Sequence, residues 1–446
     1  MRRSLEEIRT IANRAAHMTR ADSAEAVVIS SISALTRFAG NRIHQNVTET
    51  DSQLSIRAVL GTRTGVASTN RLDNEAVARC ASAAVDAARH APKDPDFPGL
   101  PKPAPLSIPS RSLSLLSMYD AAGRARAAAE IIQQSDARGL VAAGTVSVND
   151  YAVAIANTHD VDASMQTDEL RATVLAMGEG GASGWGSFLG RDAGTFLPAQ
   201  LGSSAATLAE RSAGAGDLEP GTYTVVLAPE AVADILDFLG YLGFGAKAFA
   251  EGSSFLVNAL GTRVADTCVS IYDDALSPAT IGISFDYEGQ PRRRTPLIEG
   301  GVAIGPVTDS YFAAKLDRPD TGHALPAPNP YGPLPLNIEM QAGDATLDEM
   351  IGSVERGVYV TRFHYVNVED PMKVVLTGMT RDGTFLIENG RLSTPVRNLR
   401  FTQSVLSALS DVRAIGSKRQ LCGGEGGAAL APALLIGHWA FTGQTG

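Results

Sequence analysis

Two hydrophobic periods alternate along the chain and predict helices and strands. Residues 4–20 carry apolar side chains at helical spacing, and Ser4 with Glu7 has the pattern of a capping box. Residues 24–38 and 45–60 hold β-branched runs or a period of two, which is typical of strands. Helical spacing predicts further helices over residues 74–91, 117–138, 199–213, 229–242 and 346–357. Strands are predicted at 145–148, 151–157, 172–176 and 223–227, and short strands alternate with turns towards the C-terminus.

Breaks in this pattern predict two domains. Seven prolines between Pro92 and Pro109 indicate a linker or surface loop, and a polar, glycine-containing break lies at 214–221. We therefore expect an N-terminal domain of helices and a sheet over residues 1–215, and a β-rich C-terminal domain over residues 216–446. The predicted fold class is α+β.

Composition excludes several classes of protein. The 446 residues are 44% hydrophobic with a net charge of −10, so we expect a large core and no nucleic-acid partner. The three cysteines lie far apart, which favours a reducing cytoplasm over a disulfide scaffold. The first residues do not resemble a signal peptide, and no apolar run reaches the ~18 residues of a membrane span, so we expect a cytoplasmic protein without a membrane partner.

A series of short motifs in one order carries a family resemblance. The series includes 252–256 (GSSFL), 285–289 (FDYEG), 297–301 (LIEGG), 321–324 (TGHA) and 386–390 (LIENG). It resembles the TldD/PmbA family of metallopeptidase-related proteins, strongly from about residue 220 onward and more weakly before.

The resemblance implies a two-subunit protease that acts on unfolded peptides or peptide precursors. One subunit carries a zinc helix of the form His-Glu-x-x-x-His with a later Cys, and a PmbA-like subunit lacks the histidines. Here the corresponding positions hold Asp237, Phe238 and Leu242. A catalytic zinc needs three donor side chains and a nearby carboxylate base, and Phe and Leu supply neither. We therefore expect a PmbA-like subunit without a metal or cofactor of its own, and zinc in a TldD-like partner.

The family motifs also indicate a peptide cleft. Its candidate residues are Ser253, Ser254, His323 and Cys422, in the segments 251–256, 321–324 and 421–427. We expect an extended peptide to bind there through main-chain hydrogen bonds to strand edges. Whether the chain is itself an enzyme stays open at this point.

Two other readings remain. A hydrolase could use Cys422 with His438 or His323, or the chain could be a homodimeric scaffold without enzymatic activity. The acidic residues Asp273, Asp274, Asp286 and Glu288 are interpreted as turn residues. The run 292–294 (RRR) is interpreted as a solvated hairpin edge, with the alternative that it grips a peptide carboxylate.

Overall fold

Two β-sheets, each covered by helices, organise the molecule. The computed structural model describes residues 3–109, 113–424 and 427–444. A six-stranded sheet lies between Ser23 and Gly190, and an eleven-stranded sheet lies between Gly221 and Gln444. Helices and large sheets occur together, so the predicted α+β class is confirmed.

The first sheet is an antiparallel meander with the order β3-β2-β1-β4-β5-β6. Its long central strands pair over most of their length, which buries their alternate side chains beneath the helices. The strands are β1 (Ser23–Ala39), β2 (Arg42–Leu60), β3 (Arg63–Thr69), β4 (Val141–Asn157), β5 (Asp162–Met177) and β6 (Ser183–Gly190).

Helices cover this sheet. They are α1 (Leu5–Met18), α2 (Asn74–His90), α3 (Leu115–Met118), α4 (Ala121–Asp136) and α5 (Pro198–Arg211). The capping box of Ser4 and Glu7 is present, and Asp73 caps α2. The predicted helix over 117–138 is interrupted, because Asp120 accepts a hydrogen bond from the Gly123 N–H and starts a new helix there. Residues 92–109 contain no helix or strand.

The second sheet contains a closed barrel. Strands β7, β12, β13, β15 and β17 form a ring, because β7 pairs with both β12 and β17. The strands are β7 (Gly221–Leu227), β8 (Ile271–Asp273), β9 (Thr295–Glu299), β10 (Val302–Ala303), β11 (Asn337–Met340), β12 (Arg356–Asp370), β13 (Val375–Glu388), β14 (Arg391–Val396), β15 (Leu399–Ser404), β16 (Val412–Gly423) and β17 (Ala428–Gln444).

The helices of this half are α6 (Pro229–Gly243), α7 (Ala246–Ala250), α8 (Leu256–Ala259), α9 (Ser310–Leu316), α10 (Leu347–Gly352) and α11 (Val405–Leu409). Helix α6 starts with Pro229 at its first position, where a missing N–H costs nothing. Its buried face, which includes Val232, Ile235, Leu236 and Leu239, packs into the largest hydrophobic core. This packing holds α6 against β12, β16 and β17.

Three local predictions were wrong. The segment 62–65 (TRTG) has the composition of a turn and would be predicted as one, but residues 63–65 begin β3, so the turn is at Gly61 and Thr62. The helix predicted over 346–357 ends at Gly352, and several C-terminal strands are long rather than short. The glycine-rich stretch 178–186 contains the start of β6. There Gly184 allows α5 to approach closely, because a Cβ atom would lie 2.1 Å from the Ala205 carbonyl oxygen.

None of the helices in the described ranges is long and apolar enough to cross a membrane.

Candidate functional site

Helix α6 carries the positions at which the family resemblance places a zinc motif. The side chains of Phe238 and Leu242 are partly buried and pack against the main core. Asp237 lies beside the end of β16, since a Cβ atom at Gly424 would be 2.8 Å from its carboxylate carbon. The motif positions thus combine one carboxylate with two packing side chains.

The residues at these positions do not fit a zinc ion. Phenylalanine and leucine have no donor atoms, and one aspartate oxygen does not replace three ligands. Within the described residues, no group of three or more His, Cys, Asp or Glu side chains is arranged to hold a metal. No step of a reaction is therefore assigned to a metal on this chain.

An acidic face on α6 was not predicted from the sequence. Glu230, Asp234 and Asp237 are spaced by four and three residues, so they share one side of the helix. Burial raises the pKa of Glu230, and burial together with the Glu230 charge raises the pKa of Asp234 to about 7. The sequence did contain a signal for this acidic face, namely three acidic residues at this spacing on an otherwise apolar helix.

Glu230 connects both sheets. It accepts a hydrogen bond from the Ser187 hydroxyl on β6, and Gln420 on β16 donates to the same oxygen at 3.2 Å. A second link runs from Ser183 on β6 to Asp382 on β13 at 2.7 Å. These bonds hold β6, one of the two edge strands of the first sheet, next to α6 and β16.

Arg362 adds a further contact to this junction of β6, α6 and β16. It donates two hydrogen bonds to Asp382, at 2.8 Å and 2.5 Å, and its guanidinium lies 4.3 Å from the centre of the Trp185 ring. Its positive charge lowers the pKa of both Glu230 and Asp234, but less than burial raises it. The acidic face therefore lies in a partly compensated, poorly hydrated environment.

Cys422 lies near this face, as the resemblance implies for the family's late cysteine. Its side chain is 1% exposed, and its Sγ atom lies 3.8 Å from the Gln420 carbonyl oxygen. Burial and the charges of Glu230 and Asp234 raise the pKa of its thiol well above the ordinary value. A thiol in this state is a poor nucleophile at neutral pH.

The structure separates Cys422 from His438. Cys422 pairs with Ala429 on β17, and His438 lies nine residues further along that strand. At ~3.3 Å per residue the two positions are about 30 Å apart. His438 is exposed and bonds to Asp411 through its Nδ1 atom.

His323 is fully buried in a polar cluster. Its Nε2 atom lies 3.0 Å from Oδ1 of Asp273, and its Nδ1 atom lies 2.9 Å from the Thr321 hydroxyl. The other oxygen of Asp273 accepts the Asn337 N–H at 2.8 Å. Burial raises the pKa of Asp273, but His323 and Arg292 lower it further, so the net shift is downward. This cluster fixes loop 321–324 against β8 and β11.

The two serines differ in exposure. Ser254 is buried, donates to the Gly243 carbonyl at 2.6 Å and accepts the Leu256 N–H at 3.0 Å. Ser253 is exposed and donates to the Ala248 carbonyl. Ser254 therefore anchors the C-terminus of α6, while Ser253 is the member of the pair that solvent reaches.

Comparison with known proteins gives this arrangement a class and a family. A model described as the PmbA/TldA metallopeptidase C-terminal domain matches residues 220–443, and one described as PmbA/TldA metallopeptidase domain 1 matches residues 24–88. These matches identify the class as that of metallopeptidase-related proteins. The chain belongs to the PmbA/TldD family.

Individual relatives agree with this. The match to a metalloprotease of Methanothermobacter thermautotrophicus is 29% identical and covers 42% of each chain, so it spans less than half of that relative. The match to the metalloprotease PmbA of Escherichia coli is 24% identical and covers 89% of this chain and 88% of that one. The crystal structure of TldE from Thermococcus kodakarensis superposes with a TM-score of 0.89 at 18% identity, over 99% of this chain and 100% of that one, which shows a shared fold.

Proposed function

We propose that this chain is the metal-free subunit of a TldD/PmbA-type protease complex. It pairs with a zinc-bearing homologue that carries out peptide hydrolysis, and it contributes part of the peptide-binding surface. The observation that carries the proposal is the chemistry of α6. The family scaffold here has Phe238 and Leu242 packed against its core at positions where a zinc helix needs donors.

The strand edges at the junction support a binding role. Among the strands of the described ranges, β6 pairs with β5 alone, so it keeps an edge without a ladder partner. Strand β16 pairs with β17, and its other edge is bridged at Gly416 to Ala345. The two strands lie in contact, with α6 beside them. An extended peptide can add to such an edge through main-chain hydrogen bonds, and neighbouring pockets then select its side chains.

The cysteine-hydrolase alternative has little geometric support. Cys422 is buried with a raised pKa, His438 is about 30 Å away, and His323 is engaged with Asp273. No base among these histidines is positioned to activate the thiol. The other alternative is a homodimeric scaffold, which co-expression with a zinc-bearing homologue distinguishes from the proposed subunit role.

Co-expression tests the proposal. The chain is purified alone, together with a homologue bearing His-Glu-x-x-x-His, and the homologue is purified alone. Each sample is assayed with an unstructured peptide. We expect a stable complex whose cleavage rate exceeds that of either chain alone. A chain that forms only homodimers and leaves the homologue's activity unchanged would overturn the proposal in favour of a scaffold.

A further inference from the structure

A cavity of about 350 Å³ with a charged lining lies between the two halves of the molecule. Its volume is within the range of small-ligand sites, which often lie between domains. The first sheet contributes residues of β4 and β5, and the C-terminal half contributes loop 281–292 and the starts of β11 and β17.

Three arginines line this cavity. Arg171 pairs with Glu169 at 2.6 Å, so its charge is compensated. For Arg191 and Arg292, no carboxylate in the described part of the chain lies within ion-pair distance. Two guanidinium groups without an ion pair give this cavity a strong preference for an anion.

Arg292 is the sharper signal. It is 3% exposed, its Nε atom makes a long 3.4 Å bond to the Phe285 carbonyl, and its buried Nη1 atom has no hydrogen-bond partner among the described residues. The nearby Asp273 does not satisfy it, because its oxygens bond to His323 and Asn337. A buried cationic donor without a partner is costly, which is expected where a ligand supplies the acceptor.

Arg191 is held in place by its Nη atoms. These donate to the carbonyls of Thr280, Ile281 and Gly282, while its Nε has no partner within the described residues. The Thr167 hydroxyl, also on the cavity wall, is buried and unpartnered there. The cavity thus gathers three unused polar atoms from both halves.

The rest of the lining limits the ligand. Asp168 and Glu169 lie on the wall and disfavour a doubly charged anion, whereas Ile281, Ile283 and Leu336 provide apolar surface. A carboxylate attached to an apolar group fits this mixture, and its planar shape matches a guanidinium.

The cavity lies at the end of the β6 edge, to which a peptide is proposed to add. Strand β6 ends at Gly190, and Arg191 follows directly. At the end of β16, a Cβ atom at Gly423 would lie 3.1 Å from Nη1 of Arg171. A peptide added along this edge would have its end at the arginines.

We propose that this cavity is a carboxylate-binding subsite, in which Arg292 and Arg191 receive the carboxylate of a bound peptide. The inference rests on the proposed function in placing the peptide on the β6 edge. The carboxylate comes from the C-terminus of the peptide or from an acidic side chain.

Isothermal titration calorimetry on the full chain tests the subsite with acetyl-Ala-Ala-Ala-Leu as the free acid and as the amide. We expect the acid to bind about tenfold or more tightly, because charge-assisted hydrogen bonds are lost in the amide. Arg292→Gln should remove this discrimination, and Arg191→Gln should do the same if the first variant does not fold. Arg293→Gln, at the exposed neighbouring position, is the matched control and should keep it.

An amidated peptide with an internal Glu distinguishes the two sources. If it binds like the free acid, the subsite takes acidic side chains; if it binds like the amide, the subsite takes C-termini. Equal binding of acid and amide, or discrimination that survives in both arginine variants, overturns the inference. If cleavage depends on the partner but acid and amide bind equally, only the subsite is overturned. If the acid binds more tightly but cleavage does not depend on the partner, only the proposed function is overturned.

Discussion

Arg57 on the first sheet and Glu288 in the C-terminal half form a largely buried ion pair, with Nη2 and Oε1 2.8 Å apart. The same nitrogen lies 3.0 Å from a carboxylate oxygen of Glu25 on β1. Glu288 also accepts the Ser310 N–H at the start of α9. One guanidinium therefore joins two carboxylates from different halves of the chain and links these halves.

Removal of this cation should weaken the fold. Arg57→Met leaves Glu25 and Glu288 buried without their partner, and we expect a loss of ~3–5 kcal/mol in the free energy of unfolding. Urea denaturation measures it. Arg79→Met breaks an exposed pair with Glu75 and should cost at most about 1 kcal/mol. Equal effects of the two variants would contradict the structural role of Arg57.

Stability should fall as the pH rises from about 4.5 to 7. Burial raises the pKa of Glu25 from 4.5 to about 7, and burial with the Glu288 charge raises the pKa of Asp309 to about 7. In this window the folded chain keeps protons that the unfolded chain has released, so the unfolding free energy decreases as the pH rises and levels off only above the folded-state pKa of about 7. Arg57 counteracts part of the shift at both groups without reversing it.

Thermal unfolding across pH 4.5 to 8 checks this dependence. Glu25→Gln and Asp309→Asn each remove one of the groups that titrate in this window and should each reduce the slope. Asn retains the N-cap that Asp309 provides to the Phe312 N–H. A melting temperature that rises through this window in all three proteins would refute the assignment.

The thiols should differ in reactivity. Cys268 is exposed while Cys80 and Cys422 are buried, and burial with Asp266 raises the Cys268 pKa to about 11. With a disulfide reagent at pH 8, we expect one slowly reacting thiol in the native chain and three after denaturation. Cys268→Ser should abolish native labelling and Cys422→Ser should not. Native labelling that disappears with Cys422 instead would revive a cysteine nucleophile.

A glycine controls the position of β6. In Gly184→Ala the new Cβ atom would lie 2.1 Å from the Ala205 carbonyl oxygen and 2.5 Å from the Ala209 nitrogen, so α5 must move away. We expect a destabilisation of roughly 1–3 kcal/mol in urea denaturation. Gly352→Ala, where nothing lies within 4 Å of the new atom, is the control. Equal free energies of unfolding for the two variants would show that α5 does not pack tightly against β6 at Gly184.

Local signals made much of the fold predictable. The capping residues Ser4 and Asp73 lie next to the helices that they start, and period-two runs identify β1 and β2 without information from distant residues. Strand β6 has no such signal, because its glycines are explained only by the approach of α5. The candidate site was likewise predictable only in part. The degenerate positions Asp237, Phe238 and Leu242 follow from the sequence.

Contacts between distant residues were not predictable. Glu230 meets Ser187 and Gln420, which lie 43 and 190 residues away, and His323 meets Asp273 across 50 residues. No spacing rule connects such pairs, since their meeting depends on how the two sheets dock. Arg292 was noted within a basic run, but its burial and unpartnered nitrogen appear only in the structure.

Zinc analysis tests the central claim most directly. The chain is purified alone and in complex with its co-expressed homologue, and both samples are measured by elemental mass spectrometry. The account predicts no stoichiometric zinc in the chain alone and one equivalent per heterodimer, in the partner. A full equivalent of zinc in this chain by itself would contradict the account.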